Sequence, residues 1–287
     1  MTTSNHAALF KAIEDGNIDA VQRMVVETPA LLDARDEYGF PPLMCAVSRM
    51  ERTTRLVQVL IEAGADVNSK TDEGYTALHM LVDVNGGTGT GPIPGEIARL
   101  LVAAGADTEI RQHYGWTPLM RAAVEGTLDE LQALIDVGGD VNKLFPSDTL
   151  PEFLSERTTL MATIAHPDKT GILLAAGANA AAIDTNGQTA LEYAQQCLLE
   201  SAENPVDVTA RFADDSDEAL AAMLKQAQAA GIDLDAPIDA TETTYKQTFE
   251  AAHRESTERT LAHLKEIDYA GDVRKSMRLI EAALARE

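Results

Sequence analysis

The sequence has few aromatic residues and few cysteines. Phe, Trp and Tyr make up 5% of its 287 residues, so small and aliphatic side chains must form most of the core, which suits thin layers of closely packed helices. Only two cysteines occur, Cys45 and Cys197, and they are far apart. This spacing gives no support to a disulfide framework or a cysteine zinc site and favours two free thiols in a reducing compartment.

Long apolar runs are also missing. No stretch approaches the roughly 20 apolar residues that a membrane span needs. The first residues hold no apolar run of signal-peptide length, because they are interrupted by charges at Lys11, Glu14, Asp15, Asp19 and Arg23. We therefore expect a soluble protein located in the cytoplasm.

Positive charge is the third shortage. The chain has 23 Lys and Arg against 46 Asp and Glu, and its net charge is -23. Such a surface repels phosphate backbones, so nucleic acids and anionic membranes are disfavoured as partners and a basic protein is favoured. The alternative is that the negative charge only keeps the protein soluble.

Two short phrases alternate along the chain. The first is GADVN with its variants, which begin at Gly64, Gly105, Gly138 and Gly177, with a weaker copy at Gly231. The second is GFPPLM with its variants, which begin at Gly39, Gly74, Gly115 and Gly187, with a weaker copy at Arg157. Repetition at intervals of about 31 to 41 residues predicts a stack of structural repeats.

Both phrases have a physical explanation. Thr76 and Thr117 stand just before apolar helical runs, where a hydroxyl can cap free backbone N–H groups. Pro42 and Pro118 then occupy the first turn, where a missing N–H costs nothing. A second apolar helix follows and ends at a glycine, which takes the left-handed stop conformation. Each unit is thus predicted to be helix, turn, helix and extended finger, and the units must stack because none can bury its own apolar face.

The motifs at Thr76-Ala77-Leu78-His79 and Thr117-Pro118-Leu119-Met120 resemble the T-P-L-H-x-A signature of the ankyrin-repeat family. The resemblance is specific from about Ala7 to Ala194 and weaker beyond. It implies an all-α ankyrin-repeat solenoid, a single domain over residues 1–287, in which helix-turn-helix units with short β-hairpin fingers stack. About seven units are expected, with degenerate C-terminal ones. The expected boundaries are 5–35, 36–69, 70–110, 111–142, 143–182, 183–236 and 237–287, the last being a pair of capping helices.

Three segments depart from the repeat pattern. They are a glycine-rich insertion at 86–95, an unusual finger at 143–156 with no turn glycine at Glu156, and an elongation at 201–214. Long insertions in repeat proteins map to loops, often on the binding side, but they are also tolerated as neutral elongations. We expect the first two to be functional and the third to be neutral.

Aromatic residues cluster beside the turn glycines, and carboxylates surround them. The resemblance implies that the finger tips and the exposed faces of the first helices line a concave binding surface. This pattern favours a partner bearing Arg and Lys, through cation–π and ionic contacts. The alternative is that Phe40, Tyr75 and Trp116 stack on each other between fingers and bind nothing. The candidate partner-binding residues are Glu37, Tyr38, Phe40, Glu73, Tyr75, Asp83, Tyr114, Trp116, Glu125, Asn186 and Gln188.

The sequence indicates no catalytic, cofactor or metal site. His79 completes the family tetrapeptide, and we expect its ring to hydrogen-bond backbone rather than to catalyse a reaction. The glycine run at 86–95 lacks the Lys-Ser/Thr ending of a phosphate loop. The acidic clusters around Asp214 and Asp233 lack calcium-loop spacing.

The leading hypothesis is a non-enzymatic scaffold, monomeric when free, that engages a basic protein through its concave surface. In a sharper form it is an inhibitor or immunity protein, a role in which ankyrin-type folds are known. Two alternatives stay open: a metal-dependent or enzymatic regulator that uses the acidic clusters, and a structural arm of a larger assembly.

Overall fold

The computed structural model describes residues 2–48, 54–82, 94–147, 149, 155–203, 225 and 268–286. The chain divides into two compact units, one formed by Met1–Ala194 with Val273–Glu287 and the other by Gln195–Asp272. Most described residues belong to the first unit, which carries the repeats. The single-domain assignment and its seven boundaries stay predictions.

Ten α-helices have their bounds within the described residues. They are α1 (Thr2–Glu14), α2 (Ile18–Glu27), α3 (Pro42–Ser48), α4 (Thr54–Glu62), α5 (Pro94–Ala103), α6 (Pro118–Val124), α7 (Leu128–Asp136), α8 (Pro167–Ala175), α9 (Ala190–Glu203) and α10 (Tyr269–Leu284). Short 3₁₀ turns lie at Pro29–Asp33, His79–Leu81 and Met161–Thr163. The predicted all-α solenoid is confirmed.

The helices of the first unit pack in two rows. The inner row consists of α1, α3, the His79–Leu81 turn, α6 and the Met161–Thr163 turn, each in contact with the next. The outer row consists of α2, α4, α5, α7 and α8, again in consecutive contact. Each layer therefore buries its apolar faces against its neighbours, as the repeat pattern predicts.

One aliphatic core runs through all the layers. It extends from Leu9 in α1 to Leu173 in α8, and Ile280 of α10 joins it. Burial of each such side chain contributes roughly 1.5–3 kcal/mol to stability. On α10, Ser276 and Ile280 are fully buried, and the hydroxyl of Thr170 in α8 donates to Ser276 Oγ at 3.3 Å. This helix thus packs directly on α8.

The predicted capping is confirmed at Thr117 but is wrong at Thr76, whose hydroxyl lies 2.9 Å from His79 Nδ1 instead. Thr117 Oγ1 accepts the Met120 N–H at 3.3 Å, and α6 begins at Pro118. Thr127 and Glu130 cap α7 reciprocally, because each side chain accepts the other residue's backbone N–H. After α4, Gly64 has a φ of 98°, the left-handed conformation expected at a helix stop.

Two units differ from the predicted helix pair. Their inner element is a single 3₁₀ turn, at His79–Leu81 in one and at Met161–Thr163 in the other. The second turn ends at Thr163, and three residues later His166, which precedes Pro167, is pushed out of the helical region. The first turn ends at Val82, whose backbone is extended.

The finger at 143–156 is built without glycine at its turn. Glu156 takes a φ of 61° and stands where the other fingers place glycine. Its N–H donates to the Phe145 carbonyl at 3.1 Å, and Leu144 pairs with Thr158 in an isolated antiparallel bridge. Residues 86–93 of the glycine-rich insertion and 204–214 of the third departure lie outside the described residues.

Candidate functional site

The finger tips are rigid because side chains and backbone both fix them. We call the segments that turn at Gly39, Gly74 and Gly115 the first, second and third fingers. In the first finger, one Asp36 carboxylate oxygen accepts the N–H groups of Tyr38 at 2.9 Å and Phe40 at 2.8 Å. The Asp36 N–H also donates to the Phe40 carbonyl at 3.0 Å.

Neighbouring fingers are joined to one another. The Arg35 guanidinium of the first finger donates to the Lys70 carbonyl at 3.1 Å and to Ser69 Oγ at 3.0 Å in the second. The His113 N–H of the third finger donates to the Glu73 carbonyl of the second at 2.7 Å. The first three tips therefore form one connected surface.

Most of the predicted partner-binding residues reach solvent. Tyr38 is 73% exposed and Tyr114 is 41% exposed. The half-buried candidates are Phe40, Tyr75 and Gln188. The exposed ones, besides the two tyrosines, are Glu37, Glu73, Glu125 and Asn186.

Trp116 is buried, so the prediction that it lies on the binding surface is wrong. Only 4% of the residue is exposed, and its ring meets Phe145 edge-on, with 5.8 Å between ring centroids and 82° between planes. Met120 completes this small core. The cause is the unusual finger at 143–156, which supplies Phe145, a residue that the sequence pattern did not single out. The alternative prediction, that Trp116 stacks with Phe40 and Tyr75, is also wrong, because the ring of Trp116 packs against Phe145.

Two of the predicted residues contact one buried arginine, and two more lie on the fingers beside them. The Arg121 guanidinium lies 5.0 Å from the centre of the Tyr75 ring, and its Nε donates to Glu125 Oε2 at 3.0 Å. Glu73 stands two residues before Tyr75 in the second finger, and its carbonyl accepts the N–H of His113, the residue before Tyr114 in the third finger. We call Glu73, Tyr75, Tyr114, Arg121 and Glu125 the central cluster. Arg121 is absent from the predicted residues, although its position four residues before Glu125 on a helix was a signal for an ion pair.

The surroundings of Tyr75 raise the pKa of its phenol. Burial is the largest cause, the Arg121 charge opposes it, and Glu125, Tyr114 and Glu73 raise the pKa further. Arg121 already covers one face of the Tyr75 ring and pairs with Glu125. The exposed carboxylate of Glu73 leaves the cluster with a net charge of about -1 beside aromatic surface, which suits a further cationic side chain.

Three further candidates line a groove at the other end of the connected fingers. Glu37, Tyr38 and Phe40 form one wall, and α1 forms the other, enclosing about 740 Å³. The groove differs from the central cluster because its surface is largely apolar.

No described contact joins the remaining candidates to the central cluster or to the groove. Asn186 lies on the finger that turns at Gly187, where its N–H donates to Asp184 Oδ1 at 2.8 Å within the same finger. Gln188 lies on that finger too, and its N–H donates to the same oxygen at 2.9 Å. Asp83 lies outside the described residues.

His79 has the structural role expected of it. Its Nδ1 accepts the Thr76 N–H at 3.1 Å, and its Nε2 lies 3.0 Å from the Trp116 carbonyl, to which it donates. Burial, the largest cause, lowers the pKa of the ring to about 4 despite the Trp116 hydrogen bond, which raises it. The neutral ring thus links the second finger to the third.

The described part of the chain contains neither a cluster of metal ligands nor a membrane-spanning helix. There, no group of three or more His, Cys, Asp or Glu is arranged to hold a metal ion. No helix there combines the length and apolar character needed to span a bilayer. The acidic clusters around Asp214 and Asp233 lie outside the described residues.

Relatives in sequence are repeat proteins that are much longer than the matched region. Ankyrin repeat protein nuc-2 of Neurospora crassa is 32% identical over 145 residues, which are 50% of this chain and 13% of that protein. The mouse B-cell lymphoma 3 protein homolog is 34% identical over 126 residues, which are 44% of this chain and 26% of that protein. The matches thus span about a quarter or less of these relatives' length.

Solved structures show the same architecture. An ankyrin repeat domain from Acinetobacter baumannii AYE is 28% identical, with a TM-score of 0.52 over 66% of this chain and 90% of that one. The ankyrin repeat domain of Bcl-3, a member of the IκB protein family, is 26% identical, with a TM-score of 0.54 over 65% of this chain and 78% of that one. The family model for ankyrin repeats matches residues 1–71 and 50–145, half of the sequence. Since stacked layers, finger turns and family match agree, the chain belongs to the ankyrin-repeat family.

Proposed function

We propose that this protein is a non-enzymatic scaffold that binds a basic protein through the central cluster and the finger tips around it. Ankyrin repeats are protein-interaction scaffolds, which supports the general role. The observation that carries the finer proposal is the central cluster itself, where Glu125 pairs with Arg121 over the Tyr75 ring and Glu73 is joined through its carbonyl to the finger that carries Tyr114.

Charge supports the choice of partner. The net charge of -23 steers cationic molecules toward the protein and repels nucleic acids and anionic lipids. The central cluster adds specificity, because tyrosine rings and carboxylates together recognise Arg or Lys.

The protein is monomeric when free, and the two unpaired cysteines fit a reducing compartment such as the cytoplasm. In the sharper form of the proposal, the protein inhibits its partner by covering it, as an immunity protein does.

Affinity capture with matched variants tests the proposal. The immobilised full chain is incubated with a native lysate at about 0.1 M and about 1 M salt, where the Debye length falls from about 10 Å to about 3 Å. We expect basic proteins to be retained at low salt and released at high salt. Replacing Glu73→Gln together with Glu125→Gln should weaken this capture. Asp19→Asn together with Glu27→Gln removes the same charge from the outer helix α2 and should leave capture unchanged.

The aromatic half of the site is tested separately. The double variant Tyr75→Ala, Tyr114→Ala should no longer retain the captured protein. Its thermal melting curve should still show a folded chain. The control is Val26→Ala, which changes an exposed apolar residue, 69% exposed, on the outer row. Capture that is indifferent to salt and to both pairs of substitutions would refute the proposal.

A further inference from the structure

The groove beside the first finger is built from two elements of the repeat stack. The wall from α1 carries His6, Ala7, Phe10, Lys11 and Glu14, and the opposite wall is the finger tip at Glu37, Tyr38 and Phe40. Residues on α1 reach the same wall because positions three and four apart share one helix face. The volume of about 740 Å³ lies within the range of about 300–1,000 Å³ that is usual for ligand pockets.

The interior of the groove is apolar. The rings of Phe10 and Phe40 are half-buried, and both pack on the main core while leaving surface toward the groove. Tyr38, at the tip, is 73% exposed. These three aromatic rings give the groove an apolar lining that fits an apolar side chain.

The positive charges at the groove are already engaged. Lys11 Nζ pairs with Glu14 at 3.2 Å and with Asp15 at 3.0 Å, so this triad keeps a net charge of about -1. The Arg35 guanidinium donates to backbone carbonyls and to Ser69 Oγ. Both cations therefore already have partners, with which an acidic ligand would have to compete.

The negative charge at the groove is available. Glu37 is exposed beside Tyr38 and forms no ion pair with any residue that the structure describes. With the triad around Lys11 on the opposite wall, carboxylates border the aromatic interior on both sides. The complementary ligand is an apolar side chain with Lys or Arg next to it.

We infer that this groove binds an extended segment of the basic partner in which a Leu- or Phe-type side chain is flanked by Lys or Arg. The inference rests on the proposed function, because the occupant is part of the same protein that the central cluster engages. Arg35 connects the first finger to the second, and the His113–Glu73 hydrogen bond connects the second to the third. The groove and the central cluster therefore lie on successive fingers that are hydrogen-bonded to one another, so that one partner can contact both.

Peptide selection on the full-length chain tests the inference. A random twelve-residue peptide library is selected on the immobilised protein at about 0.1 M salt, and the enriched peptides are synthesised for titration. We expect enriched peptides to carry an apolar residue beside Lys or Arg. Tyr38→Ala and Glu37→Lys should each weaken their binding about tenfold. Glu27→Lys makes the same charge change on α2 and should leave their affinity unchanged.

Several results would overturn the inference. They are the enrichment of acidic peptides, no enrichment at all, and equal affinity for wild type and Tyr38→Ala. A concentration-dependent dimer in light scattering that Tyr38→Ala abolishes would mean that a second copy of the chain occupies the groove. Peptide titration with ¹⁵N-labelled protein adds a direct reading, since resonances of Phe10 and Phe40 should shift before those of the outer row.

The same peptides separate this inference from the proposed function. Binding that is lost in Tyr75→Ala with Tyr114→Ala but kept in Tyr38→Ala refutes the groove and leaves the central cluster standing. Binding that is lost in Tyr38→Ala but kept in the central-cluster pair supports the groove and refutes the proposed role of the cluster.

Discussion

The buried ring of His79 should make the stability of this protein depend on pH. In the folded chain the ring is neutral, because Nδ1 accepts the Thr76 N–H while Nε2 donates to the Trp116 carbonyl. Protonation would put a second donor against Thr76 and a buried charge beside Arg121, whose guanidinium donates to the His79 carbonyl at 2.7 Å. Lys70 adds a smaller unfavourable charge.

The size and the sign of the effect follow from linkage. The pKa of the ring falls from 6.5 to about 4 on folding, so the unfolded chain binds the proton more tightly. This contribution to stability is complete above pH 6.5 and is lost as pH falls from 6.5 to about 4. At 1.36 kcal/mol per pKa unit the full loss is about 3 kcal/mol, of which about 2 kcal/mol falls between roughly pH 7 and pH 5.

Urea unfolding of wild type and His79→Gln at several pH values measures this contribution. The single tryptophan, Trp116, accepts the His79 hydrogen bond through its carbonyl, so its fluorescence reports on the relevant region. His79→Gln should be less stable than wild type near neutral pH, and the difference between the two should shrink by about 2 kcal/mol toward pH 5. Taking the difference removes the contribution of the many carboxylates, which both proteins share.

The matched control is His113→Gln, which removes an imidazole from an exposed position. Its stability should follow the wild-type pH curve. A wild-type minus His79→Gln difference that stays constant within about 0.5 kcal/mol from pH 7 to pH 5 would refute the linkage argument.

The remaining predictions concern stability and are checked by urea unfolding. Trp116→Ala should lower the free energy of unfolding by about 3–5 kcal/mol, because it empties the space between Met120 and Phe145. A decrease of less than about 1 kcal/mol would mean that the ring is not buried. Lys169→Met should lower the free energy of unfolding by about 2 kcal/mol. The buried Lys169 Nζ donates to two carbonyls at the end of α6, at 3.2 and 2.9 Å, and the substitution removes both hydrogen bonds. Glu156→Gly should be about 1 kcal/mol more stable than Glu156→Ala, because only glycine adopts a φ of 61° without strain; equal stabilities would contradict this.

The proposed partner class and the positions of the candidate binding residues rest on different kinds of information. Composition alone indicates a basic partner, because net charge is a property of the whole sequence. The position of Tyr75 in the site depends on Arg121, which comes from the next repeat 46 residues later. No local pattern around Tyr75 predicts that contact.

The repeat phrases by themselves determined the stacked helical layers, the caps at Thr117 and Pro118, and the finger turns. These features are local, since each depends on backbone conformations and apolar spacing within a few residues. Only the tertiary structure decided that Trp116 is buried and Tyr38 is exposed, although both stand beside a turn glycine. The physical reason is that burial depends on what the adjacent repeat supplies: Phe145 covers Trp116, whereas the groove beside α1 leaves Tyr38 open.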